Sequence, residues 1–146
     1  MPIFKSGHTE IENLRLEASS DHLRSFFRVR IREWRHPLYS GECFTIGVFD
    51  DLIDAITPET AFALLPTAIA IAQESSGSEI QTTALALIED LARKSDTTEI
   101  PAGLSDLLRS MDSTQPHEAR QAIAGIQTWY RCGNPNIPAA KAPLTP

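Results

Sequence analysis

The chain has 146 residues, the size of one domain with little room for a second. Its 42% hydrophobic and 22% charged residues exclude a disordered chain. Nineteen acids against 13 Lys and Arg give a net charge of −6, which argues against nucleic acid as the main partner. Two cysteines, Cys43 and Cys132, are too few for a disulfide framework. The start, Met1 to His8, lacks the apolar run of a secretory signal. The longest apolar stretch, Ala61 to Ala72, contains Pro66 and is too short to span a bilayer. The expectation is a soluble, cytoplasmic protein with no membrane segment.

Residues 1–45 admit two readings. Phe27-Arg28-Val29-Arg30-Ile31-Arg32 alternates apolar and basic, the period of a half-buried strand. Leu23, Phe26, Phe27, Ile31 and Trp34 also share one helical face, and Ser19-Ser20-Asp21 supplies a cap. The run is longer than a typical strand, so helix is the preferred reading.

From Gly47 onward the period is helical, with Phe49, Leu52, Ile53 and Ile56 on one face. Thr57-Pro58-Glu59 starts the next helix, with Thr57 as cap and Pro58 in the first turn. Phe62, Leu65, Ile69 and Ala72 point inward along it, and Pro66 predicts a kink or a break. Ser78-Glu79-Ile80-Gln81 fits a capping box. Behind it Ile80, Ala84, Leu87, Ile88 and Leu91 form an apolar stripe, with Thr82, Thr83, Glu89, Asp90, Arg93 and Lys94 on the opposite, outer side. Pro101 opens a helix that buries Leu104, Leu107, Leu108 and Met111. Pro116 opens the last, burying Ala119, Ile123, Ile126 and Tyr130 before Gly133. Residues 1–133 thus read as a single all-α domain of about five to six helices, and residues 134–146, with four prolines, as a flexible tail.

The helix starts recur. Pro58 and Pro101 are 43 residues apart, and the caps Ser78 and Thr114 are 36 apart. Helix pairs at such spacing mark stacked, HEAT- or armadillo-like architectures, and a third pair fits Ser20 to His36 with Phe44 to Ile56. An ordinary helical bundle is the alternative, since no motif repeats between the pairs.

The residues carry no recognisable catalytic or metal chemistry. There is no glycine-rich phosphate loop, no close Cys pair and no helical His pair. We therefore expect no enzyme activity, no cofactor and no metal. Charge placement stands out instead. Residues 1–45 hold seven Lys and Arg against six acids, whereas residues 46–146 hold six against thirteen. The acids gather on the second helix of each pair: Asp50, Asp51 and Asp54, then Glu79, Glu89 and Asp90, then Glu118. Asp50, Asp51, Asp54, Glu89 and Asp90 are the candidate partner-binding residues, on a face that stacking would make continuous. The competing surface is a basic stripe of Arg24, Arg28, Arg32 and Arg35.

An acidic chain of helix pairs with Ala/Leu/Ile-rich runs such as Thr82-Thr83-Ala84-Leu85-Ala86-Leu87-Ile88-Glu89-Asp90-Leu91-Ala92 resembles the HEAT-like immunity proteins of bacterial polymorphic-toxin and type VI secretion systems. The resemblance covers about residues 44–132 and lies in length, charge and helix spacing, so no family residue is carried over. It implies a protein that neutralises a cognate toxin by stoichiometric binding. A toxin with a basic substrate groove, a nuclease above all, fits an acidic face. A HEAT-like adaptor or scaffold without inhibitory role is the alternative.

Overall fold

The computed structural model describes residues 8–34, 49–75, 79–111, 115 and 117–131. Among them lie seven helices and no strand: α1 His8–Leu16, α2 Ser20–Trp34, α3 Asp50–Ala55, α4 Pro58–Glu74, α5 Glu79–Ser95, α6 Leu104–Ser110 and α7 His117–Arg131. The strand reading of 27–32 is excluded. A helix satisfies the backbone internally, and it places Leu23, Phe26 and Phe27 together in the core. Ser19 caps α2 as expected, its Oγ accepting from the N–H of Asp21 at 3.1 Å and of His22 at 3.4 Å. The expected tail at 134–146, and the proposed caps Ser78 and Thr114, lie outside the described residues.

α1 is an additional helix. Its sequence is largely polar, with Ile11 and Leu14 as its buried apolar residues, and it packs back on α2 across a three-residue connection. α3 is fastened to α2 by Phe49, whose ring centroid lies 6.1 Å from those of both Phe26 and Phe27.

α4 and α5 form the centre. Thr57 caps α4, its Oγ1 accepting from Thr60 N–H at 3.2 Å, with Pro58 in the first turn. No break occurs at Pro66: the helix runs from Pro58 to Glu74, and the proline is exposed. Gln81, in the first turn of α5, is buried, and its Nε2 donates to the Ala72 carbonyl at 2.9 Å. That bond ties the start of α5 to the end of α4, so the two helices run antiparallel.

α6 starts one turn later than its proline suggests. Pro101 closes a turn with the Leu104 N–H, and Gly103 precedes the helix at φ +89°, a backbone conformation natural only to glycine. Leu104, Leu107, Leu108 and Met111 are buried, as the spacing predicts. α7 buries Ala119, Ile123, Ile126 and Tyr130 against α5, again as predicted. The Trp129 indole N–H donates to the Thr97 carbonyl at 3.0 Å and pins the connection after α5 onto α7. The buried apolar residues form one cluster from Ile11 to Tyr130. No helix among the described residues is long and apolar enough to cross a membrane.

Candidate functional site

The apolar stripe of α5 meets α4, but α7 and α3 also close on this helix. Its supposed outer side is therefore largely covered. Thr82 and Thr83 are buried, a correction to the amphipathic reading, because a helix with neighbours on several sides has no single outer face. Glu89 and Asp90 are half-buried rather than exposed, and Glu89 keeps only 21% of its side-chain exposure. Of that group only Arg93 is exposed.

Glu89 is seated by two features. Arg93 Nη2 lies 2.7 Å from its Oε2, one helical turn on. On the other side its carboxylate rests against Gly125 of α7, where a Cβ would stand 1.9 Å from Oε2. Gly125 is the site feature that sequence reasoning missed. Its signal was a lone glycine inside an otherwise regular helix, which costs stability unless something needs the space.

Asp90 follows Glu89 and feels the charge of Asp50 at the start of α3. Burial, then Glu89, then Asp50 push its carboxyl up to about 6, with Arg93 opposing. Burial likewise raises Glu89 against the pull of Arg93. Asp50 is raised by burial first and then by Asp54 and Asp51. Asp50 and Asp51 suit the positive N-terminal end of α3, where Asp51 Oδ1 also accepts from the Leu52 N–H at 2.9 Å.

Of the five candidate acids, the structure brings Asp50, Glu89 and Asp90 into one electrostatic neighbourhood, with Asp51 and Asp54 on the adjoining helix. Asp50 and Asp54 are exposed, and the others are half-buried. Glu118, in the first turn of α7, is exposed, and the Glu79 side chain lies outside the described residues. The arginine stripe is interrupted: Arg24 grips Glu74 of α4 through two 2.8 Å bonds, while Arg28 is exposed. Arg35 and the Arg32 side chain lie outside the described residues.

Further along α7, burial pushes Tyr130 up to about 12. No group of three His, Cys, Asp or Glu among the described residues is arranged to hold a metal ion. His36, Cys43 and Cys132 lie outside those residues. The chain matches no family model, and no curated protein or solved structure is significantly similar to it.

Proposed function

We propose that this chain is an immunity protein of a bacterial polymorphic-toxin or type VI secretion system. It binds a cognate toxin, a nuclease above all, and neutralises it stoichiometrically in the cytoplasm. The observation that carries the reading is the packing of α3 against α5, which brings Asp50 and Asp90, forty residues apart in sequence, within reach of one another's charge. Such a surface competes with phosphates for a basic groove and speeds the encounter with it. No catalytic group is needed for that role.

The helix arrangement is compatible with a HEAT-like stack of pairs. α4 and α5 form one antiparallel pair, with α6 lying against α4 and α7 against α5. Glu89 meets Gly125 and Thr97 meets Trp129, so contacts follow the same order along both segments, as they do between equivalent helices of successive pairs.

The test is to isolate the partner from the native host and titrate its activity with purified protein. A toxin silenced at equimolar protein is expected. Asp50→Lys with Asp54→Lys, both on exposed positions, should weaken binding by several kcal/mol if their carboxylates meet partner cations. Binding that survives this pair but fails in Arg28→Glu with Arg32→Glu removes the acidic-face reading. A partner whose activity is unaffected points to the adaptor instead.

A further inference from the structure

Glu74 ends α4 at a place that disfavours a carboxylate. The last turn of that helix, Ile71-Ala72-Gln73-Glu74, carries this acid and no base, although the carbonyl end of a helix is its negative end. The compensating cation comes from another helix, fifty positions earlier in the chain. Arg24 of α2 meets the carboxylate fork to fork, with Nη1 donating to Oε1 and Nη2 to Oε2, each at 2.8 Å. We propose that this pair is a salt-sensitive latch, which holds the α1–α2 hairpin on the end of α4 and whose release lets the hairpin open ahead of the α4–α5 core.

Two holds of different kinds fasten the hairpin. The first is apolar: Leu23, Phe26 and Phe27 are buried, and Phe49 packs its ring against both phenylalanines. It has no charge to screen. The second is the ion pair, whose Arg24 and Glu74 side chains keep 34% and 57% of their exposure, so dissolved ions reach it. α1 goes with α2, to which it is tied by a bond from Ser25 Oγ to Glu10 Oε2 at 3.4 Å, and it also touches α3. Helices of 9 and 15 residues are marginal in water without a partner, so a hairpin released from α4 unravels and its amides exchange.

The latch and the basic stripe of α2 exclude one another. While Glu74 holds Arg24, that guanidinium is withdrawn from the stripe that continues at the exposed Arg28. Release returns it, so the closed hairpin masks the cationic surface with a carboxylate of its own chain.

Amide hydrogen exchange on the full chain tests the latch at about 20 mM and about 500 mM sodium chloride, between which the screening length falls from about 20 Å to about 4 Å. High salt should speed exchange in α1 and α2 about two- to fivefold relative to the amides of α5. Glu74→Gln should show that acceleration already at low salt and respond little to more. The exchanged pair, Arg24→Glu with Glu74→Arg, should restore both the low-salt protection and the salt response. Exchange in α1 and α2 that ignores salt and Glu74→Gln alike overturns the latch. Equal acceleration in α2, α5 and α7 overturns separate opening, because the pair then acts on the whole fold. Should Glu74→Gln fail to fold, the salt response of the wild-type chain decides by itself.

Discussion

α4 and α5 are each 17 residues long and pack along one another at the centre, yet they meet burial in opposite ways. α4 buries Ala61, Leu64, Leu65, Ala68, Ile69, Ile71 and Ala72, side chains that lose nothing by leaving water. α5 buries Leu85, Leu87, Ile88 and Leu91 but also Gln81, Thr82 and Thr83, and it draws Glu89 and Asp90 halfway in. Polar groups so placed must be hydrogen-bonded, ion-paired or protonated. Gln81 is satisfied by the Ala72 carbonyl and Glu89 by Arg93, whereas Asp90 is eased by holding its proton more tightly. The difference puts the carboxyls that burial pushes toward the neutral acid on α5, whereas the side chains that α4 buries are apolar.

If the apolar sides of the two helices are equivalent, Leu65→Ala and Leu87→Ala will cost alike. Both side chains are fully buried, and each truncation should destabilise by about 2–5 kcal/mol. Chemical denaturation measures the loss, which should be the same at neutral and mildly acidic pH. A much smaller cost for Leu87 would place the interior of α5 on the wrong side.

The polar side of α5 should respond less. Gln81→Leu keeps the bulk of the side chain and removes its bond to Ala72, so a loss of about 1–2 kcal/mol is expected. Thermal melts of the variant would show that loss without any added pH dependence. A variant as stable as wild type would mean that the hydrogen bond offsets only its own desolvation.

The smallest effect concerns the contact of α5 with α7. Alanine favours a helix over glycine by about 0.5–1 kcal/mol, but at position 125 the added Cβ displaces the Glu89 carboxylate. Gly125→Ala alone should therefore gain nothing, whereas in a Glu89→Ala background it should recover about 0.5–1 kcal/mol. A double-mutant cycle reads the coupling. Additive effects would show that Glu89 moves aside without cost.

The helical reading of 57–131 was visible in particular residues: Thr57-Pro58 as a start, the Leu104-to-Met111 spacing, and the Ala119-to-Tyr130 stripe. α1 was not, because Ile11 and Leu14 are too few to make a period stand out from His8 to Leu16. Pro101 misled by one turn, since a proline suits the turn before a helix as well as its first position. Among the candidate acids, the partial burial of Asp51, Glu89 and Asp90 was not legible, because it depends on neighbouring helices.

Hydrophobic period and capping chemistry are local, so the sequence by itself determined the helical character of the described residues from 20 onward and one buried stripe on the longer helices. Coverage is not local. A stripe names one buried side of a helix, and only the joint packing of α3, α4 and α7 around α5 decided that Thr82 and Thr83 are interior and that Glu89 and Asp90 sit at a seam. The fit of Glu89 onto Gly125 belongs to the same class, because it joins residues 36 positions apart through the distance between two helices, a quantity that no single helix encodes.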